Sequence, residues 1–307
     1  MFLQFELWKQ CSLGCKFCYN NGIPRRRDKI ASMQKVLDIL NSPEVDKYTD
    51  FGIIGGEFFN GEIDTPEVKE YFYKIIENFI DKVNKGIAKR CLVTTSLMFD
   101  DNTELLEFCN YLKEANVEDK FMICTSYDLA GRFNDKKLKN WQDNMILLHL
   151  LYPNIRLHVE TIVTQTFLEA VLSGQFDIKQ FNKTYHCFTN YMLPMTGYSN
   201  LYKNMKDFED RLLPNFFPRR ETFLEFLQYT HENQILTRDD LENFVNIINH
   251  SDTCYTSFDD KDFYLMEDRH NLEYKRNAYC DNDNYGYFDS DIHPRDDIEN
   301  FLEMTGE

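Results

Sequence analysis

The chain has 307 residues and a formal net charge of −17, and 43% of its residues are hydrophobic. This length and composition suit one large α/β domain, or a main domain with an appendage. No segment reaches the roughly 18–20 uninterrupted apolar residues of a membrane helix, and so acidic a surface disfavours broad nucleic-acid binding. The first 11 residues lack the pattern of a signal peptide. We therefore expect a cytoplasmic protein whose cysteines bind metal or stay buried as thiols.

The first half of the chain alternates apolar strand patterns with amphipathic helical patterns. The strand patterns cover residues 2–8, 51–56, 91–97, 121–128 and 155–164. The helical patterns between them cover residues 32–40, 65–83, 103–115 and 136–151. This alternation predicts βαβ units, a parallel sheet and right-handed crossovers. With a sixth strand near residues 191–195, it predicts an α/β fold, a partial (β/α)6 TIM-like barrel.

The pattern changes beyond about residue 200. Residues 220–233 and 237–250 have the pattern of two amphipathic helices. The tail from Cys254 is acidic and rich in Tyr and Asn, and its segment 281–291 is typical of turns and short strands. A calcium loop starting at Asp281 is excluded, because Tyr285 and Ile292 occupy ligand positions. We predict a barrel domain over 1–200 and a helical and irregular C-terminal extension over 201–307.

Three cysteines follow the first predicted strand with the spacing C-x3-C-x2-C: Cys11, Cys15 and Cys18. A structural zinc site has four ligands and commonly pairs two C-x2-C motifs. The chain has no second such motif, although a distant Cys or His would complete the set. Three thiolates in one loop suit an iron–sulfur cubane with one iron left open. In parallel α/β folds, loops at the carboxyl ends of strands are where sites form.

This segment resembles the signature of the radical S-adenosylmethionine (SAM) enzymes, in which an aromatic residue commonly precedes the third cysteine. Phe17 stands in that position. Members of the family also carry a Gly-Gly-Glu sequence at the end of the second strand, and Gly55, Gly56 and Glu57 match it. The resemblance covers roughly residues 1–200 and is looser toward the peptide-modifying (SPASM-type) branch.

The resemblance implies a 4Fe–4S cluster on Cys11, Cys15 and Cys18, with SAM on the open iron. One electron, from a donor such as flavodoxin or ferredoxin, then splits SAM into methionine and a 5′-deoxyadenosyl radical that abstracts hydrogen from a substrate. We expect Gly55 and Gly56 to let the backbone approach the cofactor closely. Glu57 would accept a hydrogen bond from the SAM ammonium group. Phe17 would pack in the core or against the adenine.

The later strands carry weaker candidates. Family members often contact the ribose and the methionine carboxylate through polar residues at the ends of the third to fifth strands. The corresponding residues at the ends of the third and fourth strands are Thr95, Ser96, Ser126 and Asp128, and two further candidates, Arg156 and His158, lie on the fifth strand. Ser126 and Asp128 match part of the Ser-x-Asp-Gly segment of peptide-modifying members, but Gly131 is displaced. The even-numbered residues of the fifth strand share one face, which we expect to line the barrel interior.

The other cysteines do not extend the site. Cys91, Cys109, Cys124 and Cys187 lie in apolar or amphipathic segments, where thiols behave as small hydrophobes. Cys254 and Cys280 are too few for the auxiliary clusters of a SPASM domain. The sequence therefore favours a radical SAM enzyme with one cluster, leaning to peptide or protein substrates. A nucleotide or small-metabolite substrate, a glycyl-radical activase and a non-catalytic iron–sulfur sensor remain the alternatives.

Overall fold

We describe the fold from a computed structural model. It describes residues 2–8, 11–13, 15, 29–129, 131–192, 218–238, 240–241, 253–258, 263–265 and 294–305. Within these ranges the strands are β1 Phe2–Glu6, β2 Asp50–Ile54, β3 Arg90–Thr94, β4 Phe121–Tyr127, β5 Arg156–Ile162, β6 Phe188–Met192, β7 Thr253–Phe258 and β8 Phe263–Leu265.

The α-helices of the described ranges are α1 Lys29–Leu40, α2 Pro66–Asn84, α3 Thr103–Glu114, α4 Asp135–Leu151, α5 Gln165–Leu172, α6 Ile178–Tyr185, α7 Arg220–Glu232 and α8 Pro294–Thr305. Two short 3₁₀ helices, Pro43–Lys47 and Glu118–Lys120, precede β2 and β4. Between β1 and β5, helices alternate with strands in the order that the sequence predicts, and the two helices between β5 and β6 were not predicted.

The strands form one open sheet with the order β6-β5-β4-β3-β2-β1-β7-β8. Strands β1 to β6 pair in parallel with their sequence neighbours. The fold is therefore α/β, consistent with a partial TIM-like barrel, and the predicted fold class is confirmed. β6 begins at Phe188, three residues before the predicted position, because the two short helices α5 and α6 bring the chain back to the sheet earlier.

The outer face of the sheet is apolar and covered by helices. α2 starts at Pro66, with the Thr65 hydroxyl accepting a hydrogen bond from the Val68 amide at 3.2 Å. Phe72 and Phe79, seven residues apart, lie on the same side of this helix, and Phe79 packs against Phe51 of β2 with ring centroids 5.7 Å apart. Odd-numbered strand residues take part in this core: Leu3, Phe5, Phe51, Ile53, Cys91, Val93, Ile123, Leu157 and Val159. Cys91 is thus buried, and burial raises the pKa of its thiol.

The inner face of the sheet carries both polar and apolar side chains. Trp141 of α4 donates to the hydroxyl of Thr125 at 3.2 Å, so odd-numbered residues of β4 face the helices. Because side chains alternate along a strand, even-numbered residues lie on the opposite face. The parallel register places Cys124 beside His158 and Ser126 beside Glu160. The expectation that the even-numbered residues of β5 share the inner face agrees with this register.

The C-terminal segments join the sheet and form a second core. β7 pairs in parallel with β1, and β8 is antiparallel to β7. The side chain of Arg220 in α7 binds Asp297 of α8, with Nη2 2.7 Å from Oδ1. The apolar side chains of this second core include Val163, Phe167, Phe223, Phe226, Leu227, Ile298 and Phe301. No helix in the described ranges has the length and hydrophobicity to cross a membrane.

Several sequence predictions for this region need correction or lie outside the described residues. The first predicted helix, 220–233, matches α7. Helix α8 and the pairing of β7 with β1 were not predicted, since the sequence pattern there is polar and the partner strand is distant. Most of the second predicted helix and all of segment 281–291 lie outside the described residues. The domain boundary near residue 200 stays a prediction.

Candidate functional site

The carboxyl ends of β1 and β2 are locked together just before the cysteine loop. The Gly56 amide donates to the Trp8 carbonyl at 2.8 Å, and the Trp8 indole donates to the Glu57 carbonyl at 3.0 Å. A Cβ atom on Gly55 would lie 2.2 Å from the Trp8 carbonyl oxygen. The chain's own backbone therefore requires glycine at position 55. Contact of Gly55 and Gly56 with a cofactor stays a prediction.

The cysteine loop is fastened to the same edge of the sheet by three side chains from other elements. Asn60, which follows β2, donates to the Ser12 hydroxyl at 2.9 Å. Lys137, in the first turn of α4, donates to the Leu13 carbonyl at 2.6 Å. Arg132, in the loop between β4 and α4, has Nη1 4.0 Å from the sulfur of Cys15. These contacts hold the loop beside the carboxyl ends of β2 and β4.

Two of the three cysteines of the motif are described. Cys11 is partly exposed and Cys15 is 9% exposed, and both are reduced thiols. Cys18 and the predicted aromatic contact Phe17 lie outside the described residues.

Glu57 is fully buried and acts as a clamp between the ends of β2 and β3. Its Oε1 accepts from the amides of Phe58 at 2.8 Å and Phe59 at 3.1 Å, and from the Thr95 hydroxyl at 2.6 Å. Its Oε2 accepts from the Ser96 amide at 2.7 Å. Hydrogen bonds of this number compensate the cost of burying a carboxylate. The clamp is a structural role that the sequence did not predict, and the contact of Glu57 with an ammonium group stays a prediction.

The structure brings Thr95 and Ser96 to Glu57. The Thr95 amide also donates to the Cys124 carbonyl at 2.9 Å, and the Thr125 hydroxyl donates to the Ser96 carbonyl at 3.0 Å. Thr95 is 2% exposed and its hydroxyl is used by the clamp. Ser96 is less buried, and its hydroxyl accepts from the Met98 amide at 3.2 Å. The ends of β2, β3 and β4 are therefore one hydrogen-bonded unit.

The segment after β4 holds an ion pair. Asp128 is 1% exposed and binds the Nε of Arg132. Gly131 has a φ of 88°, a conformation open to glycine, and it lies just before Arg132. Ser126 is half-buried on the inner face of β4. Arg132 was missed by the sequence analysis, although its spacing of four from Asp128 is a recognisable signal for an ion pair.

The two candidates on β5 lie at different heights of the sheet. Arg156 is exposed at the first residue of the strand, so about six residues, or roughly 20 Å, separate it from the edge that carries the cysteine loop. The structure thus does not bring Arg156 together with the other candidates. His158 is 8% exposed, and among the described residues its Nε2 has no hydrogen-bond partner. Burial, aided by the charge of Arg90, lowers the pKa of His158 to about 4.

A thiol and a carboxyl group meet on the inner face above His158. Cys124 and Glu160 share a hydrogen bond, and Thr94 bonds the same thiol. Burial raises the pKa of Cys124 well above its usual value. Burial also raises the pKa of Glu160, while the hydrogen bond from Cys124 and the charge of Arg132 act in the opposite direction. Glu160 is therefore a carboxyl group held toward its neutral form inside the barrel.

The architecture that carries these residues is an open α/β sheet of the partial TIM-like barrel type. No protein-family model matches the sequence, and no curated protein matches it either. In fold the chain is similar to a solved structure of hexahistidine-tagged anSMEcpe with bound AdoMet, with a TM-score of 0.52 and 16% sequence identity. The match covers 80% of this chain and 61% of that chain. The chain therefore spans about three fifths of the length of that structure, and the likeness is one of fold.

Proposed function

We propose that this chain is a radical SAM enzyme with one 4Fe–4S cluster. The observation that carries the proposal is the position of the cysteine loop. Ser12, Leu13 and Cys15 are each contacted by a side chain from another element, at the carboxyl edge of the barrel sheet. A loop held in this way presents thiols where parallel α/β folds place their cofactors. The fold neighbour has AdoMet bound, which supports the proposal.

The donor chemistry fits the cluster. Cys11 and Cys15 are thiols four residues apart, and Cys15 faces the guanidinium of Arg132. Cysteine sulfurs are the ligands that hold iron–sulfur clusters in proteins. Cys18 would supply the third thiolate. Within the described part of the chain no three metal-ligating side chains cluster, and Cys18 lies outside that part.

The chain's own residues would bind and orient the cofactors. When bound, the cluster and SAM would supply a 5′-deoxyadenosyl radical upon one-electron reduction. The Glu57 clamp fixes the ends of β2 and β3, so the backbone around Gly56 and Ser96 is rigid before SAM arrives. Ser126 presents a hydroxyl on the inner face of β4. Such prior ordering lowers the entropy lost when SAM binds.

We further propose a peptide or protein substrate, an electron donor of the flavodoxin or ferredoxin type, and a cytoplasmic location where thiols stay reduced. The fold neighbour anSME is an anaerobic sulfatase-maturating enzyme, which fits this substrate class loosely. Ser126 and Glu160, which lie side by side on the inner face, suit a substrate that forms hydrogen bonds.

The chemistry is tested by anaerobic reconstitution with iron and sulfide, reduction with dithionite, addition of SAM and assay of 5′-deoxyadenosine. We expect four irons per chain and product formation in the wild-type protein. Cys15→Ala should lose both the bound iron and the formation of 5′-deoxyadenosine, and its circular dichroism spectrum should match that of the wild type. Cys187→Ser is the matched control, because Cys187 is a half-buried thiol on the distant β6 side that bonds Asn182. SAM cleavage that survives Cys15→Ala rules the proposal out. A cluster without cleavage would favour a sensor.

The substrate class is tested with a size-fractionated cell extract added to the same assay. A peptide or protein substrate predicts that one fraction stimulates 5′-deoxyadenosine release and that prior protease digestion abolishes the stimulation. Stimulation that resists protease would overturn the peptide assignment in favour of a nucleotide or small metabolite. In that case the radical chemistry itself would stand.

A further inference from the structure

The guanidinium of Arg132 lies between a buried carboxylate and the sulfur of a motif cysteine. Its Nε binds Asp128, and its Nη1 is 4.0 Å from Cys15 Sγ. The Arg132 side chain is 15% exposed and that of Asp128 is fully buried. Neither residue belongs to the cysteine loop, so this is a contact between the segment after β4 and that loop.

The arrangement is built to point one edge of the guanidinium at the sulfur. A carboxylate as buried as Asp128 must be paired, and pairing through Nε leaves Nη1, which is not on the Nε edge, directed toward Cys15. Gly131, with φ 88°, directly precedes Arg132 and adopts a backbone conformation that favours glycine. Arg132 therefore cannot leave Cys15 without depriving the buried charge of Asp128 of this ion pair.

A hydrogen-bond donor and a positive charge beside a ligating sulfur stabilise the more negative, reduced state of a cluster. We propose that Arg132 is a positioning residue that donates to the Cys15 thiolate and raises the reduction potential of the cluster, with Asp128 fixing its orientation. This inference rests on the proposed function, since it needs a cluster on Cys15. It assigns Asp128 to the guanidinium rather than to the ribose or carboxylate of SAM.

The test is a potentiometric titration of the reconstituted protein without SAM, followed by electron paramagnetic resonance. We expect Arg132→Gln to keep its four irons. Its reduction potential should be lower than that of the wild type by about 59 mV, which is a tenfold shift of the one-electron equilibrium toward the oxidised cluster. The reduction potential of Arg132→Lys should lie between those of the wild type and Arg132→Gln, because lysine keeps the positive charge and loses the planar fork of donors. Lys139→Gln is the matched control, since Lys139 is 72% exposed and pairs with Asp143 on the outside of α4.

The outcomes separate this inference from the proposed function. A wild-type protein that binds no cluster would overturn both. A wild-type protein that cleaves SAM, together with an Arg132→Gln potential equal to the wild-type value, would overturn only the role of Arg132. If Arg132→Gln does not assemble a cluster, the test uses the reduction potential of Arg132→Lys instead. A reduction potential of Arg132→Lys equal to that of the wild type would reject the inference. An equal shift in Lys139→Gln would also reject it, because the effect would then be one of net charge.

Discussion

Glu57 Oε1 accepts a hydrogen bond of 2.6 Å from the hydroxyl of Thr95, which joins the carboxyl ends of β2 and β3. The same carboxylate accepts hydrogen bonds from three backbone amides, those of Phe58, Phe59 and Ser96. A glutamate in a Gly-Gly-Glu sequence therefore stabilises the scaffold of the candidate site from within. The predicted contact with SAM would then depend on the geometry that this clamp preserves.

Glu57→Ala should lower the free energy of unfolding by about 3 kcal/mol, because it leaves buried donors without an acceptor. The cluster should still assemble, and SAM binding should weaken because the backbone of Ser96 loses its anchor. Urea unfolding of the protein before reconstitution measures the first effect, and equilibrium dialysis of SAM the second. Glu67→Ala, at an exposed position in the first turn of α2, is the control and should change stability little. Unchanged stability and unchanged SAM affinity would show that the hydrogen bonds accepted by Glu57 do not support the candidate site.

Gly55→Ala should destabilise the protein by about 2–3 kcal/mol, since its Cβ would lie 2.2 Å from the Trp8 carbonyl oxygen and two backbones must move apart. Gly86→Ala offers a comparison, because Gly86 has open space around it and only its φ of 74° is unfavourable to alanine. We expect Gly86→Ala to lower the free energy of unfolding by about 1 kcal/mol. Equal losses in the two variants, measured by urea unfolding, would contradict the steric explanation.

Asn144→Leu should cost about 2 kcal/mol of stability. The buried amide of Asn144 in α4 donates to the carbonyls of Leu97 and Phe99, each at 2.9 Å. Leu97 has a φ of 57°, so the segment after β3 needs these bonds to hold an unfavourable conformation. Asn140→Leu is a milder control, because Asn140 makes one longer bond of 3.2 Å to Met98. A smaller loss in Asn144→Leu than in Asn140→Leu would be inconsistent with this account.

The buried imidazole of His158 should make stability depend on pH. Its pKa is lowered by burial from 6.5 to about 4, so the unfolded chain takes up the proton more readily than the folded one. The free energy of unfolding is therefore unaffected by this group above pH 6.5. As the pH falls from 6.5 toward 4, protonation of His158 in the unfolded chain lowers the free energy of unfolding by roughly 3 kcal/mol.

His158→Phe should flatten the stability profile over that pH window, as measured by urea unfolding at successive pH values. His186→Asn is the control, because His186 is exposed at the end of α6 and its φ of 48° is one that asparagine tolerates. A slope in His158→Phe equal to that of the wild type would show that other groups cause the acid sensitivity.

Strands β1 to β5 were predictable because alternation is a local signal that neighbouring residues carry. The clamp at Glu57 was not, since it requires knowledge that the side chain of Thr95, 38 residues later and just after β3, reaches the end of β2. The pair of Asp128 and Arg132 lay within reach of sequence reasoning, yet its contact with Cys15 spans 117 residues. Arg156 was chosen for its residue type and strand. Its distance from the site was already implied by the predicted strand 155–164, in which Arg156 is the second residue.

The pairing of β1 with β7 has a consequence for how the chain folds. β1 finds one neighbour about 50 residues away and the other about 250 residues away. Closing the second loop costs more chain entropy, and its partner is synthesised about 250 residues after β1. β1 therefore remains an edge strand during synthesis until residues 253–258 appear. The strand that leads into the cysteine loop therefore precedes β7 in synthesis and is paired on both edges only after β7 is made.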